Sequence, residues 1–209
     1  MDITSAKERY NCVIDVCRTM EPASIIEIGV HKGARARRFV HDCLLQGGTY
    51  TGYDAFDQLE DHDSVFNGKG PSSERHSLAA IKRPGVEARL IKGYTDQTLE
   101  PDTAADFVFI DADHRTDAIW RDFRAVQNSR LICFDDVVFD GPENAGALPI
   151  MRHLETLDEW ETAIVNFRVP FKPRGYTAIG FAWHFGAIEY ETISMIEYYC
   201  EQANTEYLK

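Results

Sequence analysis

Short apolar runs alternate along the chain with stretches whose apolar residues recur every three or four positions. The runs read as strands and the spaced stretches as helices. Residues 4–20 carry Tyr10, Val13, Ile14 and Cys17 at helical spacing, so the chain is expected to open with a helix over residues 1–20. Strands are predicted at 24–30 (SIIEIGV), 49–55 (TYTGYDA), 86–94 (VEARLIKGY), 106–112 (DFVFIDA) and 129–136 (SRLICFDD). Helices are predicted at 33–46, 72–83, 115–127 and 145–158, with Ile119, Phe123 and Val126 sharing one side of the third. This alternation predicts an α/β fold, a mainly parallel sheet with helices on both faces. The last two apolar runs, 162–168 and 175–185, are separated only by VPFKPR. So short a link permits only an antiparallel pair. A C-terminal helix is predicted over 189–203, with Ile193, Ile196 and Tyr199 among acids.

One segment breaks the pattern: residues 56–75, FDQLEDHDSVFNGKGPSSER, are polar and aperiodic. Connections of that length inside a domain are usually functional, and this one suits a mobile lid. With no internal repeat and no shift in composition, residues 1–209 are expected to form a single domain.

Composition narrows the classes of function. With 44% hydrophobic and 27% charged residues, the chain can bury an ample core. No run approaches the roughly 18 to 20 apolar residues that span a bilayer, and the first ten residues lack the pattern of a signal peptide. A cytoplasmic protein without membrane association is therefore expected. The five cysteines form no CxxC pair and have no histidine at zinc-finger spacing, so reduced, buried thiols are expected. A net charge of −12 opposes docking on a nucleic-acid backbone. The locally basic ARARRF at 34–39 places Arg35 and Arg38 on one helix face, read as a solvated face.

The chemistry is expected at the carboxyl ends of the strands, where open α/β sheets bind ligands. The turn after the first strand reads Glu27-Ile28-Gly29-Val30-His31-Lys32-Gly33, an E-x-G-x-x-x-G. Gly29 can let a ligand approach the backbone, and Gly33 can let the helix close on the strand. The middle glycine of the dinucleotide fingerprint is absent, which argues for a ligand without a pyrophosphate, such as S-adenosylmethionine. Asp54, after the second strand, lies where an acid accepts from ribose hydroxyls. The plainer alternative is that a tight strand-to-helix turn needs glycines in any case.

The fourth strand ends Asp111-Ala112-Asp113-His114 and the fifth ends Asp135-Asp136. On neighbouring strands, about 4.8 Å apart, these acids meet and need a counter-charge. A divalent cation supplies one, and oxygen ligands suit Mg²⁺, Mn²⁺ or Ca²⁺. Asp135 and Asp136 converge only if the chain turns after them, as DGPENAG allows. Asp113 could instead cap the helix that begins at 115, and His114 is open to several roles.

These pieces, IIEIGVHKGARA, GYDAF, KGYTDQTL, DFVFIDADHRTDAIWRDF and LICFDDV, in this order and spacing, resemble class I S-adenosylmethionine-dependent methyltransferases. Within that class they are most similar to the branch with the macrocin-type sugar and small-molecule O-methyltransferases, over roughly residues 20–165. The resemblance implies a Rossmann-like three-layer sandwich, a seven-stranded, mostly parallel sheet with an antiparallel last strand pair. It implies Mg²⁺ held by Asp111, Asp135 and Asp136, and Asp113 as general base. It implies cofactor contacts from Glu27, Gly29, Gly33, Asp54, Tyr94, Thr95 and Asp111. The acceptor would be a hydroxylated small molecule, a sugar or another natural-product-like compound. Relatives without metal dependence exist, and nothing in the sequence fixes the acceptor or decides whether the chain forms a homo-oligomer.

Two other readings compete. Asp111-Ala112-Asp113 is also a D-x-D of the kind that holds a nucleotide sugar through a metal in glycosyltransferases, or that opens an aspartyl-phosphate phosphohydrolase site. Neither accounts for E-x-G-x-x-x-G, and the second needs a downstream lysine where only Lys172 and Lys209 remain. A third, a binding module without catalysis, is disfavoured by the intact acids.

Overall fold

In the computed structural model, which describes residues 6–56, 73–137, 146–168 and 176–207, helix α1 (Ala6–Thr19) leads into strand β1 (Ser24–Ile28). Helix α2 (Ala34–Arg38) follows and widens into a π-helical turn over Phe39–Cys43. Then come β2 (Gly48–Asp54), α3 (Glu74–Ile81), β3 (Val86–Lys92) and a short α4 (Thr95–Thr98). The chain continues through β4 (Phe107–Ile110), α5 (Thr116–Val126), β5 (Leu131–Phe134) and α6 (Leu148–Leu154). It closes with β6 (Trp160–Arg168), β7 (Tyr176–His184) and α7 (Tyr190–Tyr207).

All seven strands join one sheet in the order β3-β2-β1-β4-β5-β7-β6. Strands β1 to β5 pair in parallel, and β7 runs antiparallel to both β5 and β6. The expected architecture is therefore present, antiparallel pair included. Every residue of β4 and β5 is buried, as apolar strands covered on both faces should be. Phe107, Phe109, Leu131 and Cys133 face a core shared with α1, the α2 segment and α7. Val108, Ile110, Ile132 and Phe134 face the other core, filled by Ile119, Phe123, Ile150 and Met151 from α5 and α6. These two cores make the three layers.

The predicted helix at 33–46 is irregular for a packing reason. The wider π turn keeps Phe39, Val40, Cys43 and Leu44 buried together, with Phe39 5.7 and 5.8 Å from the rings of Phe107 and Phe109. Several strands stop one or two residues before the predicted ends: Gly29, Gly93, Asp111 and Asp135 make a last N–H bond to the neighbouring strand and the loops begin there. The five cysteines are free thiols, four of them buried. Among the described residues, no helix is long and apolar enough to cross a membrane. Most of the expected lid at 56–75, and most of DGPENAG at 140–146, lie outside the described residues.

Candidate active site

The turn after β1 is built on backbone that only certain residues tolerate. Gly29 has φ +96, and a Cβ there would lie 2.0 Å from the Asp111 carbonyl oxygen. The Asp111 N–H donates to the Ile28 carbonyl at 2.8 Å, so the ends of β1 and β4 are drawn too close for a side chain. His31 also takes a left-handed φ of +50, and its N–H donates to Asp54 Oδ2 at 2.7 Å. The Phe56 N–H donates to Asp54 Oδ1 at 2.5 Å. Asp54 thus ties the first loop to the second, and a carboxylate with about four acceptor positions keeps some for a ligand. Gly33, at φ +75, has a packing role: a Cβ there would meet the Ser77 side chain of α3 at 3.2 Å.

These loops bound a cavity of about 180 Å³ at the carboxyl ends of β1, β2, β3 and β4. Of the residues expected to touch a cofactor, Gly29, Asp54, Tyr94, Thr95 and Asp111 line it. Glu27 and Gly33 are absent from its lining. Glu27 is fully buried behind the wall, where the Tyr50 hydroxyl and Arg35 Nε, the latter at 3.4 Å, donate to its two oxygens. From there it supports the turn from within.

Burial pushes the Glu27 carboxyl up to about 7, against the opposing pull of Arg35 and Tyr50. A carboxyl raised on folding contributes stability that is full below its unfolded pKa and is lost as pH rises through the folded value. A shift from 4.5 to about 7 amounts to a loss on the order of 3 kcal/mol across that window. Glu27→Gln is expected to flatten the fall in stability between those pH values in a denaturant series. A slope equal to that of the unsubstituted protein would contradict it.

Asp122, on α5, escapes a reading of the sequence. It lies in the cavity wall yet is only 2% exposed, and its Oδ1 has no hydrogen-bond partner among the described residues. Burial pushes its carboxyl up to about 6, opposed by a hydrogen bond from Thr95. The available signal is an acid on the same helix side as Ile119, Phe123 and Val126.

The acids at the strand ends meet as expected, since β4 and β5 are neighbours and the Asp135 N–H donates to the Ile110 carbonyl at 3.0 Å. The chain does turn there, with Asp136 in the left-handed region at φ +44. The counter-charges, however, are arginines. Arg9 Nη1, from α1, lies 3.1 Å from Asp135 Oδ1 and 2.7 Å from Asp136 Oδ1. Arg35 pairs with Asp111 and also reaches Glu27. Two hydroxyls add to these contacts: the Tyr10 hydroxyl donates to Asp135 Oδ2 at 2.9 Å and the Thr177 hydroxyl to Asp136 Oδ1 at 2.8 Å. Among the described residues, no three His, Cys, Asp or Glu side chains are arranged to hold a metal ion. As arranged, Asp111, Asp135 and Asp136 do not fit a bound divalent cation.

Arg35 is therefore not part of a solvated face. Its side chain is 19% exposed, lines the cavity, and lies over the rings of Tyr10 and Phe109. Burial alone would favour losing its charge, but Asp111 and Glu27 more than offset that and push its pKa up. Burial opposes the charge of Arg9 in the same way, and Asp135 and Asp136 more than offset it. Arg38, three residues on, is the more exposed of the two, half-buried with its side chain 3.4 Å from Asp42 and donating to Asn11 Oδ1 at 2.7 Å.

Asp113 also lines the cavity, at the start of α5. The Arg115 N–H donates to its Oδ1 at 2.9 Å, and Arg115 Nε donates to its Oδ2 at 2.8 Å. This is a turn ahead of the helix and not a cap, since the N-cap of α5 is Arg115 and has no side-chain capping bond; the carboxylate is also held by a guanidinium that is itself 62% exposed. His114, beside it in the wall, has Nδ1 3.8 Å from Asp136 Oδ2.

Comparison with known proteins agrees with this geometry. A family model described as a methyltransferase domain matches residues 26–137, the span from β1 through the paired acids after β5. No curated protein matches the chain. Among solved structures, an O-methyltransferase from Bacillus cereus in complex with S-adenosylhomocysteine is 20% identical, with a TM-score of 0.54. That alignment covers 86% of this chain and 81% of the other. TomG, an O-methyltransferase from Streptomyces achromogenes involved in tomaymycin synthesis and in complex with S-adenosylmethionine, is 17% identical at a TM-score of 0.57. Coverage there is 86% and 80%. The S-adenosylhomocysteine-bound methyltransferase PaMTH1 from Podospora anserina is 16% identical at a TM-score of 0.55, over 88% and 80% of the two chains. At these identities the structures establish a shared fold.

Proposed function

We propose that this chain, which belongs to the methyltransferase domain family, binds S-adenosylmethionine at the ends of β1 to β4 and methylates a hydroxyl of a small molecule. Family membership sets aside the glycosyltransferase and phosphohydrolase alternatives. The observation that carries the reading is the convergence of Gly29, Asp54, Tyr94-Thr95 and Asp111, from four separate strand ends, on one cavity.

The residues fit such a ligand. Gly29 has no Cβ, so backbone can approach it closely, and Asp54 keeps acceptor positions for two ribose hydroxyls. Asp111 and Arg35 offer an acceptor and a donor side by side, as an amino acid's ammonium and carboxylate require. Bound there, S-adenosylmethionine supplies a methyl group made electrophilic by its sulfonium. The cavity wall then holds the acceptor against it, which removes much of the entropy cost of a bimolecular reaction.

Asp113 takes the acceptor's proton as the oxygen forms its new bond to carbon and the carbon–sulfur bond breaks. Its partner Arg115 is exposed, so an acceptor hydroxyl can replace the guanidinium beside the carboxylate. A screen of hydroxylated acceptors for release of S-adenosylhomocysteine tests the reaction. Release above the acceptor-free rate is expected for sugar-like or other hydroxylated natural-product-like compounds. Cofactor binding without release for any hydroxyl acceptor, together with release for an amine or thiol, would refute transfer to oxygen.

A further inference from the structure

We propose that the guanidinium groups of Arg9 and Arg35 stand where relatives would hold a divalent cation, so that this chain works without one. The inference rests on reading the cavity as a transferase site and concerns the charge that balances its acids.

Two guanidiniums carry the same charge as one divalent ion, and they occupy the same acceptor atoms. A Mg²⁺ or Mn²⁺ ion must approach carboxylate oxygens to roughly 2.0–2.2 Å, stripped of competing donors. Here Asp135 Oδ1 is ion-paired with Arg9 Nη1 at 3.1 Å and accepts from the Asp136 N–H at 2.8 Å. Its Oδ2 accepts from Tyr10, and Asp136 Oδ1 accepts from Arg9 and Thr177. Asp111 Oδ2 is paired with Arg35. An ion placed among these atoms would lie against two fixed positive charges in a low-dielectric setting, where like charges repel strongly.

Arg9 is built into this position. It is 9% exposed on α1, on the same stripe as the fully buried Val13 and Val16, and its Nη2 donates to the Tyr10 hydroxyl at 2.5 Å. Helix α1 thus carries a cation across the core face to the ends of β4 and β5. A buried guanidinium is costly unless carboxylates surround it, and Asp135 and Asp136 do so. Arg9 is accordingly a positioning residue: it holds the two acids, and Asp136 Oδ2 in turn lies 3.8 Å from His114 Nδ1 in the wall. Because a guanidinium donates hydrogen bonds but offers no empty coordination site, the acceptor has no metal to chelate. It is selected by the wall formed by Asp113, His114 and Arg115.

Electron paramagnetic resonance with Mn²⁺ alone tests this on the full chain and needs neither cofactor nor acceptor. The same preparations titrated with S-adenosylmethionine report separately on the transferase reading. The unsubstituted protein is expected to leave the free Mn²⁺ signal undiminished at millimolar concentration, and its thermal midpoint should not move with Mg²⁺ or after dialysis against a chelator. Arg9→Met, which keeps bulk and removes charge, should bind one equivalent of Mn²⁺ and lose it again when Asp136→Asn is added. Sub-millimolar Mn²⁺ binding by the unsubstituted protein, abolished by Asp135→Asn, would overturn the proposal. So would a folded Arg9→Met that binds none. If Arg9→Met does not fold, the titration and the chelator test on the unsubstituted protein decide.

Discussion

Gly29→Ala is expected to abolish S-adenosylmethionine binding and to destabilise the protein by more than about 3 kcal/mol. A Cβ at this position would sit 2.0 Å from the Asp111 carbonyl oxygen and 2.5 Å from its carbon, both backbone atoms that cannot swing aside. The left-handed φ of +96 adds strain of roughly 1–2 kcal/mol for a residue with a Cβ. Relief requires β1 and β4 to part where Gly29 and Asp111 line the cavity. Gly85→Ala is the matched control, since φ is +81 there but nothing lies within 4 Å of the added carbon. It should lose only the conformational part, about 1 kcal/mol, and bind cofactor normally. Chemical denaturation and calorimetry on both variants decide the matter. A Gly29→Ala protein that binds as tightly as the unsubstituted one would refute the placement of the ligand.

The second large effect is expected at Asp113. Asp113→Asn preserves size and an oxygen that can accept from the Arg115 N–H, while removing the group that takes the acceptor's proton. Turnover should fall by roughly 10²–10⁴, with cofactor affinity within about threefold of the original. Arg115→Gln frees the carboxylate from its guanidinium, and turnover should survive it. Unchanged turnover in Asp113→Asn, with binding intact, would remove Asp113 as the base and direct attention to His114.

How far the sequence speaks for itself differs between strands and site. Phe107–Ile110 and Leu131–Phe134 are legible as central strands because unbroken apolar runs are what burial on both faces demands. The link VPFKPR announces the antiparallel pair through its length alone. Gly29 and Asp54 are legible because a close backbone approach and a ribose each call for one kind of residue at one place. Asp111, Asp135 and Asp136 are legible as a group that needs neutralising.

What neutralises them is not legible, because the answer comes from helices far away in sequence. Arg9 is 127 residues from Asp136, and Arg35 lies in a run whose basic character suggests a solvated surface. The clue at Arg9 is a cation on the stripe it shares with Val13 and Val16, a position that burial makes costly without a counter-charge. Glu27 shows the converse problem: an acid beside the key glycine looks like a ligand contact, but inside β1 its side chain faces the core toward Tyr50. The period of two along a strand decides which way it points, and the fully buried neighbours conceal that period.

The central claim is that the cavity bounded by Gly29, Asp54, Tyr94-Thr95 and Asp111 is a cofactor site, and calorimetric titration of the full chain with S-adenosylmethionine tests it most directly. The account predicts saturable binding of one equivalent, weakened in Asp54→Ala and indifferent to chelator. No binding heat, confirmed by an unmoved thermal midpoint at saturating ligand, would contradict it.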